Sequence, residues 1–226
     1  MSAGGCSVRR FNDKVVLVFG AGACGEGWSN GKAAATLYAR EGAQVVAVDR
    51  DADAVARTHQ TVEDEGLSCE VMLADVTQSE PVQRIVQDTL ARFGRIDVLH
   101  HNVGATVMGD PVELSEAAWQ RGLDVNLTGV FLTTKHVLPA MLAQGKGAIV
   151  AISSLASIQV NQYPYIVYAS AKAGLNQFIR SLAVRYAKEG IRANAVLPGV
   201  IDTPLVYQQM AGQFTDIEEL RERRNA

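Results

Sequence analysis

Tyr168 and Lys172 stand four residues apart in the segment Tyr168-Ala169-Ser170-Ala171-Lys172. On a helix that spacing brings the phenol and the ammonium to one face. A fixed cation beside a phenol favours the phenolate and pulls its pKa down from about 10. Tyr168 is then a candidate general acid and base near neutral pH. Tyrosine and lysine meet at this spacing by chance in many helices, so the pair gains weight only from what precedes it. Upstream lie a serine at a strand end, Ser154, an acidic strand end, and a glycine-rich turn near the N-terminus.

That turn reads Gly20-Ala21-Gly22-Ala23-Cys24-Gly25-Glu26-Gly27-Trp28-Ser29-Asn30-Gly31-Lys32. Glycine lets a backbone turn tightly and approach a ligand without a Cβ in the way. The turn follows a short apolar run, Lys14 to Phe19, and precedes an alanine-rich helix. A helix N-terminus offers free N–H groups to a pyrophosphate, so the three parts together predict a dinucleotide site. The next strand ends at Asp49. A carboxylate there can accept hydrogen bonds from both hydroxyls of an adenosine ribose, and it repels a 2′-phosphate, which favours NAD over NADP. Arg50 pulls the other way, because a guanidinium can bind that phosphate. The plainer alternative makes Asp49 the N-cap of the following helix. Asp75-Val76 and Asn102-Val103-Gly104 close the third and fourth strands. Each is ordinary loop chemistry alone, but both would flank the adenine if the glycine turn binds the pyrophosphate. His100 and His101 invite a metal reading, yet adjacent strand residues point to opposite faces, and no metal site is expected.

The elements that must position these groups follow from the apolar pattern. Strands are predicted at 14–19, 44–48, 69–74, 96–100, 148–153 and 192–197. Helices are predicted at 30–40, 51–65, 80–93, 115–143, bent near Pro139, and 165–188. This alternation predicts the α/β class: a doubly wound parallel sheet of the Rossmann type with helices on both faces, as a single domain over 1–226. Ligands bind such sheets beyond the carboxyl ends of the strands. With 48% hydrophobic and 20% charged residues the chain is globular and can bury a large core. The net charge of −3, without a Lys/Arg run, argues against nucleic acid, and 221–224 is a short mixed segment. No apolar stretch is long enough for a bilayer, and residues 1–12 lack the apolar core of a secretory signal. Cys6, Cys24 and Cys69 are an odd number without metal spacing, as expected of reduced thiols in a cytoplasmic protein.

From Lys14 to Pro204 the chain strongly resembles the short-chain dehydrogenase/reductase family. The resemblance rests on the glycine turn, Asp49, Asp75-Val76, Asn102-Val103-Gly104 and Asn126 in Val125-Asn126-Leu127-Thr128-Gly129. It continues through Ser153-Ser154, Tyr168 with Lys172, and Pro198-Gly199-Val200-Ile201-Asp202-Thr203-Pro204. It implies a tetrad of Asn126, Ser154, Tyr168 and Lys172. Tyr168 would exchange a proton with the substrate oxygen and Ser154 would hold that oxygen. Lys172 would bind the nicotinamide ribose and lower the tyrosine pKa, and Asn126 would hold a water linking Lys172 to solvent. The cofactor, NAD in preference to NADP, would be held by Gly20, Gly22, Gly25, Gly27, Asn30 and Gly31. Asp49, Arg50, Asp75, Val76, Asn102 and Gly104 would contact it next. Pro198, Gly199, Ile201 and Thr203 would complete the site with Tyr168 and Lys172. The implied activity is hydride transfer between NAD and a secondary alcohol or ketone. The alternatives are an NADP-dependent reductase of 3-oxoacyl groups or other carbonyls, and an NAD-binding protein without turnover.

The sequence departs from the family pattern in several places. The glycine turn is longer than usual, Phe19 replaces a threonine and His101 an asparagine, both where strands one and four meet. The Ser154 to Tyr168 spacing is one residue longer than the family's common spacing, and a loop at Asn161 to Tyr165 would absorb it. Family members continue with a further helix and strand, so the chain looks truncated after a substrate lid at 203–226. Candidate substrate-lining residues are Ala156, Ile158, Tyr163, Tyr165, Val200, Leu205, Val206 and Tyr207, which suit an apolar or cyclic alcohol. The helices around Val125–Leu142 and Tyr168–Tyr186, the second carrying Leu175, Phe178, Ile179 and Leu182, imply a homodimer or homotetramer.

Overall fold

The computed structural model describes residues 9–160 and 163–210. Cys6, Asn161 in the spacing loop, the mixed segment at 221–224 and the lid residues from 211 onward lie outside the described residues. Six parallel strands form one sheet: β1 (Val15–Phe19), β2 (Gln44–Asp49), β3 (Glu70–Leu73), β4 (Val98–His101), β5 (Gly147–Ile152) and β6 (Ile191–Val196). Their order is β3-β2-β1-β4-β5-β6. The chain reverses its direction of winding between β1 and β4, which opens a crevice at the carboxyl ends of those two strands.

β1 is buried at all five positions, so its sequence is a continuous apolar run. Its alternate residues feed two cores. Val16 and Val18 pack with Ala35, Ala39, Val55 and Val62 of α1 (Asn30–Arg40) and α2 (Ala52–Asp64). Leu17 and Phe19 pack with Val82, Val86, Val137, Met141, Leu175 and Ile179 of α3 (Ser79–Phe93), α5 (Gly129–Gln144) and α6 (Ile166–Tyr186). The fold is therefore a doubly wound α/β sheet in a single domain. Asp97 secures the entrance to β4, accepting from Val15 N at 3.0 Å and from Arg95 through Nε at 2.7 Å and Nη2 at 2.6 Å. Burial opposes its charge, yet the Arg95 hydrogen bond and the Val15 N–H hold the carboxyl below its ordinary range. Among the described residues no helix is long and apolar enough to cross a membrane.

Three expectations need correction. The helix predicted over 115–143 is divided into α4 (Glu116–Leu123), a π-helical turn (Asp124–Thr128) and α5. α5 runs through Pro139 to Gln144. The break falls where the fully buried Asn126 amide bonds the backbone of a neighbouring loop, a side-chain demand that apolar periodicity does not reveal. The N-cap of α2 is Asp51, whose side chain accepts from Ala54 N at 3.0 Å, so Asp49 is left for another use. Leu175, Ile179 and Leu182 are buried against the sheet. Phe178 lies at the half-buried margin, edge-on to Phe131 of α5 at 6.4 Å.

Candidate active site

A groove of about 720 Å³ runs across the carboxyl ends of the strands. At one end stands the glycine turn. Gly20 has φ +78°, and a Cβ there would lie 2.9 Å from Val103 N. A Cβ on Gly31 would lie 1.8 Å from Gly20 O and 2.8 Å from Asn102 Nδ2. α1 can begin this close to β1 only because both positions lack side chains. Asn102 Nδ2 donates to Gly20 O at 3.0 Å, while its Oδ1 is buried without a partner among the described residues. Gly22 N donates to Asp49 Oδ2 at 2.9 Å, and Asp51 N to Asp49 Oδ1 at 3.2 Å, so the carboxylate is fixed at the rim. Ser29 caps α1 by accepting from Lys32 N at 3.0 Å. Lys32 Nζ donates to Gly27 O at 3.2 Å and lies 5.3 Å from the centre of the Trp28 ring, which folds the extra length of the turn back on α1.

At the other end stand Ser154, Tyr168 and Lys172. Ser154 follows β5 and caps a short 3-10 turn, its Oγ accepting from Ala156 N at 3.2 Å. Tyr168 opens α6, and Lys172 follows one turn later on the same face. Lys172 is 2% exposed, donates from Nζ to Ile152 O at 2.8 Å, and lies 5.8 Å from the Tyr168 ring centre. Burial pulls its pKa down to about 8. The Tyr168 phenol moves opposite to the sequence expectation: burial pushes it above its ordinary value, and a hydrogen bond with Ser154 only partly opposes this. The reason is geometric. The ammonium is directed at a backbone carbonyl and sits over the ring, and desolvation of the phenolate dominates.

Asn126 lies behind the groove, fully buried. Its Nδ2 donates to Ala105 O at 2.8 Å and Gly122 O at 2.9 Å, and its Oδ1 accepts from Ala105 N at 3.1 Å. The amide thereby braces the loop that carries Gly104, where a Cβ would come within 3.0 Å of Lys172 Nζ. Gly20, Gly22, Asn30, Asp49, Arg50, Asp75, Val76, Asn102 and Gly104 line the groove. So do Pro198, Gly199, Ile201 and Thr203. Gly25, Gly27 and Gly31 stand off it. Gly25 backs onto Pro204 of α7 (Pro204–Met210), and Gly27 supplies φ +97°. Asp75 Oδ1 is engaged by Thr77 through N at 2.9 Å and Oγ1 at 2.8 Å.

Of the expected substrate-lining residues, Ala156, Tyr163, Tyr165, Val200, Leu205 and Val206 border the groove; Ile158 and Tyr207 do not. Tyr207 donates to Asp202 instead. Tyr163, Tyr165 and Tyr168 form a row of rings with centres 5.4 Å and 6.0 Å apart. The sequence reading missed Cys24, a non-glycine position of the glycine turn, and Thr106, Gln159 and Val160, which line the groove from loops that no motif marks. His100 and His101 take opposite faces. His100 Nδ1 is hydrogen-bonded to Tyr38 of α1 at 3.2 Å and His101 Nδ1 to Thr133 of α5 at 3.0 Å. Burial lowers their pKa values to about 4 and about 3.

A glycine cradle and a fixed carboxylate at one end, with a phenol, a hydroxyl and an ammonium at the other, suit a dinucleotide lying across the strand ends with a reacting carbon beside the phenol. A family model described as short chain dehydrogenase matches residues 14–213. The chain is 42% identical over 199 residues to a cis-4-hydroxycyclohexanecarboxylate dehydrogenase of Sinomonas cyclohexanicum, covering 87% of this chain and 76% of that protein. It is 34% identical over 202 residues to a cyclohexanol dehydrogenase of an Acinetobacter species, covering 88% and 77%. A crystal structure assigned to the short-chain dehydrogenases/reductases, from Burkholderia xenovorans, superposes with a TM-score of 0.92 at 46% identity, covering 96% of this chain and 82% of that one. Sequence, sheet order and groove thus lead to one conclusion: the chain belongs to the short-chain dehydrogenase/reductase family, oxidoreductases that bind nicotinamide cofactors.

Proposed function

We propose that the chain is an NAD-dependent dehydrogenase of secondary alcohols carried on an apolar ring, with Tyr168 as general acid and base. The observation that carries this reading is the convergence of Tyr168, Ser154 and Lys172 at one end of a groove whose other end holds the glycine turn and Asp49. The cofactor fits what is present. Gly20 and Gly22 of the turn line the groove, Asp49 stands at the rim for ribose hydroxyls, and Asn102 Oδ1, buried without a partner among the described residues, can accept from a ligand donor. Bound NAD would supply the hydride acceptor. The chain's own residues handle the proton. With its pKa raised, Tyr168 holds a proton at neutral pH and can donate it to a ketone oxygen, while Ser154 orients that oxygen by hydrogen bonding. In the oxidising direction the same phenol must first lose that proton, which the Ser154 hydrogen bond favours. Asn126 acts here by holding the Gly104–Ala105 backbone against Lys172 through its side-chain amide.

The ring reading draws on the apolar wall of Tyr163, Tyr165, Leu155, Val160 and Leu205, and on the ring substrates in the names of the two relatives. α7 is the described part of the lid. Association through α5 and α6 is proposed from their outer faces, where Phe131 is 47% exposed and Val184 83% exposed. The exposed Arg50 beside Asp49 favours the second reading, an NADP-dependent carbonyl reductase. A panel of cyclic and open-chain secondary alcohols, assayed with NAD and with NADP by absorbance of the reduced cofactor, tests both. Turnover of cyclic alcohols with NAD is expected. Preferred turnover with NADP would move the assignment to the second reading, and NADH binding without turnover of any alcohol would make the chain a binding protein.

A further inference from the structure

Three consecutive carbonyls of the glycine turn each accept a hydrogen bond from a side chain. Thr58 Oγ1 donates to Ala21 O at 2.7 Å, and Ser29 Oγ donates to Gly22 O at 2.8 Å. Arg57 closes on Ala23 O with two N–H groups, Nε at 2.9 Å and Nη2 at 2.6 Å. Thr58 is fully buried and Arg57 half-buried. Both stand on α2, which meets the turn once more where Ala23 N donates to Ala54 O at 3.2 Å. Holding a carbonyl fixes its whole peptide plane, and so fixes the direction of the N–H on the far side of that plane. The N–H groups of Gly22 and Ala23 are spent inside the fold, on Asp49 Oδ2 and Ala54 O, so the plane that can aim an N–H at an anion is the Ala23–Cys24 peptide, whose carbonyl Arg57 holds. Ordering a long arginine side chain costs conformational entropy. Here both of its engaged donors go to one backbone oxygen, and Arg57 takes no part in the apolar core on this face. A guanidinium keeps its charge at any working pH, so this bond is charge-assisted.

We propose that Arg57 and Thr58 are positioning residues for the dinucleotide. From α2 they hold the carbonyls of Ala21 and Ala23, so that the longer glycine turn is set in its binding conformation before the pyrophosphate arrives, with Arg57 the stronger holder. A binding loop already in its bound shape avoids the ordering cost that otherwise weakens affinity. Glycines give this turn freedom, and α2 removes it. The inference rests on the reading of the groove as a nicotinamide-dinucleotide site.

The test uses the full chain and the variants R57A, R57K and T58V. NADH affinity is read by fluorescence titration, kcat and alcohol KM at saturating cofactor, and backbone amide exchange at 21–25 without ligand. R57A should weaken NADH binding by about tenfold or more, and T58V by about threefold, as loss of a charged and of a neutral hydrogen bond would do. R57K, which keeps a charged donor, should recover most of the affinity. kcat and alcohol KM at saturating cofactor should stay within about twofold, because the reacting end is untouched. Amide exchange at 21–25 should quicken in R57A without ligand. A variant that merely destabilised the fold would raise exchange throughout the domain and lower kcat, and R57K and T58V would show no graded effect on affinity; that pattern overturns the proposal. Unmutated protein that binds NADH while R57A binds it equally well also overturns this inference and leaves the function reading intact. Unmutated protein that binds neither NADH nor NADPH overturns both.

Discussion

At the β1–α1 end of the groove the backbone is held from several sides. Asp49 accepts from Gly22 N, Asn102 donates to Gly20 O, and Ser29 and α2 take the carbonyls between. At the β5–α6 end the reacting groups are side chains taken out of water with few partners. Lys172 has Ile152 O, and Tyr168 has Ser154 and a neighbouring ring. Hydrogen bonds fix a shape for a ligand that must always be gripped in the same way. Desolvation instead raises the energy of charged forms, so protons move readily when a partner enters. The turn end should therefore fail by losing affinity, and the reaction end by losing turnover.

The sharpest break in this contrast is Tyr168→Phe. The ring, its contact with Tyr165 and the fold remain, while the exchangeable proton is gone. Turnover should fall by at least about 10²-fold with NADH affinity kept within about twofold. Activity within a few-fold of the unmutated enzyme would mean that the proton comes from another group. Gly31→Ala tests the opposite end. Its new methyl would press on Gly20 O, a backbone atom with no rotamer to yield. Stability should drop by about 3 kcal/mol in urea unfolding, and NADH affinity by at least about tenfold. Gly27 offers the control, because nothing lies within 4 Å of a Cβ there and only its φ of +97° resists. Gly27→Ala should cost about 1 kcal/mol. Equal losses in the two variants would show that close packing of α1 on the turn is not what holds this end.

These two ends were legible in the sequence to different degrees. The turn was readable because only glycine serves where a Cβ would meet Gly20 O or Val103 N, and because an apolar strand precedes it. Tyr168 and Lys172 were readable from helical spacing, and β1 from its unbroken apolar run. The holders on α2 were not: Arg57 and Thr58 sit in a polar helix where nothing distinguishes a solvated side chain from one that reaches a carbonyl thirty-odd positions away. The π-helical turn was also hidden, because Asn126 interrupts a helix only through a loop distant in sequence. The direction of the Tyr168 shift was misread for a related reason. Spacing shows that an ammonium is near, but not that it bonds a carbonyl while the phenol is buried.

Asp49 belongs to both accounts, and its removal separates them. As a rim carboxylate it repels a 2′-phosphate. As the acceptor for Gly22 N and Asp51 N it also holds the turn. Asp49→Ala should lower NAD affinity by about tenfold through the lost charged hydrogen bonds. NADP affinity should fall less, because repulsion is relieved at the same time, so the preference narrows without reversing. An NAD affinity within about twofold of the unmutated value would show that the turn does not need this carboxylate.

The smallest expected effect lies in the two buried histidines, one under each end. His100 is hydrogen-bonded to Tyr38 of α1, on the turn side, and His101 to Thr133 of α5, on the side of Lys172. Burial holds their pKa values at about 4 and about 3, against an ordinary 6.5 in the unfolded chain. Between 6.5 and those values the unfolded state binds protons that the folded state refuses. Stability must then fall as pH falls, by up to about 1.4 kcal/mol per pH unit for each histidine. Above 6.5 both states are neutral and the contribution is constant. Paired carboxylates such as Asp97 add their own loss at lower pH, so the informative quantity is a difference between proteins. Urea unfolding of the unmutated chain and of His101→Asn at pH 6.5 and pH 5 should show a loss about 2 kcal/mol smaller in the variant, whatever the substitution does at neutral pH. Equal losses would mean that His101 takes up its proton in the folded state, and that the reaction end is wetter than its burial implies.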